Sequence, residues 1–251
     1  MQNMGLRGTK LQGTEIVKIE KQEIQTVILD VEREQKDSYE FVKIDTSRGR
    51  VDCAYYRAEG TDKGVIMVTG VTGGFDSPAD KLYPRLSVDL KEVGISSLRI
   101  KFRNPKDLSE ALIDVLVGME FLKSENVGVF GLIGHSFGSA VVVQAAFNNE
   151  NVKTIVMLST QGYGTAPISF LPKSTSVFLI HGEEDEILSP DISVQAYDLA
   201  HEPKRIEIYD AKAGHELDNV ADEVYVEIKD WIIKYLKNEN ENSAPIEPVE
   251  Y

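Results

Sequence analysis

Ser136 stands between two glycines in Gly134-His135-Ser136-Phe137-Gly138, with an apolar run (VGVFGLI) before the turn and a small-residue stretch (SAVVVQAAF) after it. A strand that turns sharply into a helix forces the central residue into a strained conformation, and glycines on either side relieve the crowding. A serine hydroxyl is a weak nucleophile until a neighbouring base takes its proton, so such a turn calls for a histidine and a carboxylate further along the chain. Both are present, in the order acid then histidine. Asp185 lies in the segment EEDEILSP that follows the run SVFLIHG, and His215 lies in AKAGHEL, which follows RIEIYD.

Other residues compete for these roles. His135 sits inside the turn, His181 precedes the acid and His201 ends a helical stretch, which leaves His215 as the base. Around the acid, Glu183, Glu184 and Glu186 flank Asp185 in what reads equally as a solvated loop. Asp185 is favoured, with Glu184 and Glu186 as fallbacks.

Residues so far apart in sequence meet only if one sheet edge presents all three. The apolar runs VIMVTG, ISSLRIKF, VGVFGLIG, TIVMLS, SVFLIHG and RIEIYD alternate with helical periods, the pattern of a parallel sheet with crossover helices. Leu82, Leu86, Leu90 and Val93 form one helical stripe, ended by Gly94. Leu108, Leu112, Val115, Met119 and Leu122 form a second. Val220, Val224, Ile228, Trp231, Ile232 and Tyr235 form the last, with Trp231 as core. Ahead of these, Ile16–Val31 is rich in β-branched residues, and EFVKIDTSRGRVDCAYYRA reads as two strands joined at Ser47–Arg50, an antiparallel opening. The polar residues 1–14 and 238–251 read as flexible tails around one domain, 15–237.

At 251 residues, 42% hydrophobic and 27% charged, the chain has the balance of a folded globular protein. Its net charge of −14 disfavours nucleic acid, whose binding depends on Lys and Arg displacing counterions. One cysteine, Cys53, excludes an internal disulfide and a multi-thiolate metal site and suits the cytoplasm. MQNMGLRGTK lacks a secretory apolar stretch and no window is long enough to cross a bilayer, so neither export nor a membrane is expected.

Taken together, GHSFG, HGEEDEILSP and GHEL resemble the nucleophile, acid and histidine motifs of the α/β-hydrolase family, and within it the small, nearly lidless dienelactone-hydrolase-like enzymes. The resemblance covers roughly residues 40–237. It implies an α/β-hydrolase fold, a mostly parallel sheet with helices on both faces and antiparallel N-terminal strands. One departure is that dienelactone hydrolases proper carry a cysteine nucleophile where this chain has Ser136, which favours esterase-like chemistry over lactone opening.

The fold further implies an oxyanion hole made by the backbone N–H of Phe137 and a second N–H from the loop after VIMVTG. Aligning Thr69-Gly70-Val71 with the family's His-Gly-X makes Val71 the donor, while the Gly73–Gly74 pair offers another register. Asp76-Ser77-Pro78 reads as a helix start. About 16 residues separate TIVMLS from SVFLIHG, too few for a large cap domain, and Gln161, Tyr163, Phe170 and Leu171 in that stretch are candidates for lining an acyl pocket. Phe75 and Arg103 are further substrate-binding candidates. Arg99 and Arg103 are unusual in a strand buried on both faces, and pairing with an acid such as Asp52 is the alternative to a substrate role.

The expectation is a serine hydrolase that acts on a small-molecule ester without cofactor or metal. A thioesterase, a peptidase and a non-catalytic binding protein of the same fold are the alternatives, and a homo-oligomer is allowed.

Overall fold

The computed structural model describes residues 14–19, 22–210 and 212–237, with side chains from Thr26 onward. The expected tails lie outside them, apart from Thr14.

Short runs rich in Val, Ile, Leu and Met become strands whose alternate side chains meet two different cores. The strands are β5 (Lys63–Val68), β6 (Ser96–Lys101), β7 (Val129–His135), β8 (Val152–Leu158), β9 (Ser176–Gly182) and β10 (Lys204–Tyr209). Ile66, Val68, Leu132, Ile155, Met157 and Leu179 face one core, and Val65, Met67, Ile133, Val156, Leu158 and Ile180 face the other. Helices α2 (Leu108–Ser124), α3 (Phe137–Ala146) and α4 (Asp191–Leu199) lie on the first side, and α1 (Pro78–Glu92) and α5 (Ala221–Lys237) on the second. Because both faces are covered, the central strands β5 and β7 to β9 are mostly apolar, whereas the edge strand β10 is charged and half-buried.

The N-terminal strands β1 (Thr14–Ile19), β2 (Gln22–Gln35), β3 (Glu40–Thr46) and β4 (Gly49–Tyr56) pair antiparallel in sequence order, and β4 runs antiparallel to β6. The sheet order is β1-β2-β3-β4-β6-β5-β7-β8-β9-β10, with β6 to β10 mutually parallel. From β5 the chain winds outward to β6 on one side and continues through β7 on the other. The order therefore reverses between β5 and β7, and loops leaving that point part to opposite faces and open a crevice.

Local signals fix the helices. Asp107 caps α2 by accepting from the N–H groups of Ser109 and Glu110, 3.0 and 3.1 Å away. Gly94, with φ +76°, ends α1 in a left-handed turn. Trp231 is core and donates to Thr154 Oγ1 at 2.8 Å.

The start of α1 departs from a simple cap. Ala79, Asp80 and Lys81 are left-handed, with φ of 50, 43 and 64°. The Ser77 hydroxyl therefore accepts from Tyr83, six residues on, at 2.8 Å. Pro84 then falls in the first regular turn, where its missing N–H costs nothing.

Of the two arginines of the ISSLRIKFRNP segment, Arg103 pairs with acids as expected, but with other acids than Asp52, which lies 3.5 Å from Lys101. Arg103 bonds Asp114, a carboxylate buried in α2, through Nε and through its own N–H (2.8 Å), and reaches Glu110 at 3.0 Å and the Arg48 carbonyl at 2.5 Å. Arg99 has no acid partner among the described residues. It donates to the Phe75 carbonyl and stacks over the Phe75 ring at 5.6 Å.

Breaking a buried pair strands a charge, so Arg103→Ala should lose about 3–5 kcal/mol of unfolding free energy. Urea unfolding measures the loss; a variant as stable as the wild type would contradict the pairing.

Candidate active site

The turn from β7 into α3 is set by backbone crowding. A Cβ on Gly134 would collide with the Gly138 carbonyl and lie 2.7 Å from Ser139 N, and one on Gly138 would lie 2.6 Å from the Thr69 carbonyl oxygen. With both positions stripped to hydrogen, Ser136 takes φ 54° and ψ −116°, a conformation rare for a side chain-bearing residue. Its N–H donates to Leu158 O (2.8 Å), and its carbonyl accepts from Ser139 N (3.1 Å) and Ser139 Oγ (2.5 Å).

The loop after β5 lies alongside. Val68 pairs with Gly134 across the sheet, so residues 69–71 continue past the turn. A Cβ on Gly70 would be 3.3 Å from Ser136 Cβ and 3.6 Å from its Oγ, whereas Gly73 faces Pro105 and Gly74 faces Asp76. Gly70, not the glycine pair, is thus the glycine against Ser136. Among the described residues, no protein group accepts from the N–H of Val71 or of Phe137.

The acid and histidine loops leave β9 and β10 at the same edge. Gly182 lets them pack, for a Cβ there would run into the Ala213 carbonyl and come within 2.8 Å of Gly214 O. Asp185 Oδ2 accepts from His215 Nδ1 at 2.7 Å and His181 Nε2 at 3.0 Å, and Oδ1 accepts from the N–H of Ile187 (2.8 Å) and Leu188 (2.9 Å). The Asp185 side chain is wholly buried. Burial works against its charge, but the Leu188 N–H, the His215 imidazole and the Ile187 N–H outweigh it and hold the carboxyl below its usual range.

His135 and Ser159 fix His215 relative to the turn. His135 Nε2 donates to the His215 carbonyl at 3.0 Å, their rings lie 4.8 Å apart, and Ser159 Oγ donates to the same carbonyl at 2.7 Å. The structure does not join Ser136 Oγ to His215 by a hydrogen bond, and among the described residues neither that hydroxyl nor His215 Nε2 has a protein partner. Such bonds often close only around a bound substrate. Beside them, Glu216 has its carboxyl pushed up, chiefly by burial, with Asp218, Asp76 and Asp185 adding to it against the pull of His215.

Among the other candidates, Phe75 is half-buried beneath the loop, edge-on to Phe41 at 6.1 Å and bound by Arg99. Tyr163 and Phe170 are exposed, Leu171 is buried, and the stretch 159–175 forms only a 3₁₀ turn at Ala166–Phe170. Arg103 spends its donors on protein acceptors, as described above. Glu184 and Glu186 are exposed, as is His201 beyond α4. What the sequence pattern missed is the role of His181 beside the acid; a histidine at the buried end of a strand, four residues before Asp185, was the available signal.

Among the described residues, two groups of metal-type ligands have ligand atoms within 4.8 Å of one another: His135, His215 and Glu216, and Asp30, Glu32 and Asp45. In the first, His135 Nε2 and His215 Nδ1 already serve the geometry above; in the second, Arg50 binds Asp45 at 2.7 Å.

No protein-family model matches the chain, and no curated protein does. Solved structures do. A dienelactone hydrolase of Anabaena variabilis is 15% identical with TM-score 0.68, over 82% of this chain and 99% of the other. The Pyrococcus furiosus esterase Pf2001 is 17% identical with TM-score 0.65, over 82% and 93%. A serine hydrolase without a lid from Xanthomonas campestris is 16% identical with TM-score 0.64, over 81% and 97%. The chain has the α/β-hydrolase fold without a large cap, and its likeness runs to esterases, a dienelactone hydrolase and lidless serine hydrolases. Among the described residues no helix is long and apolar enough to cross a membrane.

Two outcomes follow from the packing. Gly134→Ala should cost about 3 kcal/mol or more, read as a lowered Tm, because backbone cannot move aside as a side chain can. For His135, burial lowers the pKa to about 4. Its neutral form favours the fold, so its contribution is complete above pH 6.5 and falls by about 3 kcal/mol as pH drops towards 4. His135→Gln should therefore flatten the loss of stability over that window in urea titrations; an unchanged slope would contradict it.

Proposed function

We propose that the protein is a serine hydrolase that cleaves carboxylic esters through an acyl-enzyme, with Ser136, His215 and Asp185 as its triad. The observation that carries this reading is the pairing of a strained Ser136 at the strand-order reversal with a histidine whose Nδ1 is bound to a buried carboxylate and whose Nε2 is left available. The similar structures, an esterase, a dienelactone hydrolase and a serine hydrolase, support the same class.

In this reading His215 Nε2 takes the Ser136 proton as Oγ attacks the ester carbonyl, and the alkoxide leaves with that proton to give the acyl-serine. Water, deprotonated by the same nitrogen, then attacks the acyl carbon and restores Ser136. Asp185 holds the Nδ1–H tautomer and stabilises the imidazolium, itself staying ionised. The N–H groups of Phe137 and Val71 are the donors for the oxyanion of each tetrahedral intermediate. With only residues 159–175 between β8 and β9, the mouth favours small or accessible esters. Tyr163, exposed in that stretch, and Phe75 are the rim residues proposed to meet the acyl or alcohol group, and Arg103 is left out because its donors are spent.

A fluorophosphonate probe should label the wild type and not Ser136→Ala. Ester turnover should fall about 10⁴-fold or more in Ser136→Ala and His215→Ala, and about 10⁴-fold in Asp185→Asn. A wild type that neither takes the label nor hydrolyses short-chain p-nitrophenyl esters would sink the enzymatic reading in favour of a binding protein.

A further inference from the structure

His181 has no part in the mechanism above, yet its imidazole is fully buried and both ring nitrogens are engaged. Nε2 faces two oxygens, Asp185 Oδ2 at 3.0 Å and the Leu188 carbonyl at 3.1 Å. An ionised carboxylate and a carbonyl can only accept, so Nε2 must carry a proton. Nδ1 meets Ser193 Oγ at 2.7 Å, and Ser193 is itself fully buried at the first turn of α4. Burial holds His181 towards its neutral form, against the Leu188 carbonyl and Asp185. A neutral ring protonated at Nε2 has a bare Nδ1, which accepts a hydrogen bond from the Ser193 hydroxyl.

The tautomer is thereby fixed by two partners, one on each side. Of the four hydrogen bonds on the Asp185 carboxylate, two come from backbone and one from His215. The fourth is the bond from His181, and it falls on Oδ2, the oxygen that His215 also uses.

We infer that His181, locked by Ser193, is a positioning residue that shares Asp185 Oδ2 with His215, aims the carboxylate at Nδ1 and moderates its pull on the base. This rests on the triad reading above. Two donors on one oxygen divide its electron density, so the imidazolium of His215 is stabilised less than it would be by a carboxylate bound to it alone. The other titratable groups around His215 are His135, whose ring lies 4.8 Å away, and Glu216, next in the chain, with Asp76 and Asp218 acting on Glu216. None of these donates to Asp185 among the described residues.

The test is the pH dependence of kcat/KM for a short-chain p-nitrophenyl ester in His181→Phe, His181→Gln and Ser193→Ala, with Tm measured for each. Removing the donor in His181→Phe should raise the midpoint of the acidic limb by about half a unit and lower the plateau on the order of tenfold to a hundredfold. His181→Gln, whose amide N–H reaches the place of Nε2, should bring the midpoint back towards wild type. Ser193→Ala should shift it in the same direction as His181→Phe and by less. A folded His181→Phe with the wild-type profile would overturn the inference, as would a Gln variant no different from Phe. If His181→Phe does not fold, Ser193→Ala decides, and an unmoved midpoint there overturns it. A wild type that takes no fluorophosphonate label is a separate failure, that of the triad itself.

Discussion

Everything at the functional edge depends on how closely two stretches of main chain can approach at the β7–α3 turn. Gly134 lies against the Gly138–Ser139 peptide, and Gly138 lies against the end of β5. Atoms attached there have nowhere to go, because the neighbours are backbone held in a sheet ladder. The strain that remains falls on Ser136, whose φ is positive. Strain of this kind persists only where the surroundings over-determine it. Here the sheet on either side and the bond from Ser136 N–H to Leu158 do so.

The second half of the edge is built by the same means. Gly182 admits the loop that carries His215, so the carboxylate and the imidazole meet across a main-chain contact instead of across side-chain filler. The carboxylate's remaining oxygen is tied to the N–H groups of its own loop, which makes Asp185 a rigid part of the turn although its flanking glutamates are exposed. His135 then holds the His215 main chain.

Much of this was legible before any coordinates. Parallel strands covered on both faces should be mostly apolar, and β5, β7 and β9 are, while Arg99 in β6 and the charged, half-buried β10 depart from it; an antiparallel opening must alternate, and β3 does, with Val42 and Ile44 buried between half-buried neighbours. The turn at Ser136 was legible because its glycines answer a local steric demand. The carboxylate that binds His215 was harder to read, since four adjacent carboxylates look alike in sequence and differ only in which one the backbone turns inward. Partners across the fold were not legible. Asp114 lies in the apolar helix α2, and nothing local says that it meets Arg103; only its charge among buried neighbours hints at a partner. The left-handed run Ala79–Lys81 was equally hidden, because what holds it is distant, the carbonyl of Glu216 and the carboxylate of Asp218. His181 read as a failed candidate for base, as no periodicity reports what lies beyond the end of a strand.

The bond from His135 to the His215 carbonyl spans 80 residues of chain. Closing so long a loop is entropically late, and it also needs β8, β9 and β10 in place between its ends. During synthesis the turn that bears Ser136 leaves the ribosome well before the loop that bears His215. The nascent chain therefore carries its serine without the histidine for the whole time that β8 to β10 are being made, and the functional edge is completed only when the C-terminal part of the sheet docks.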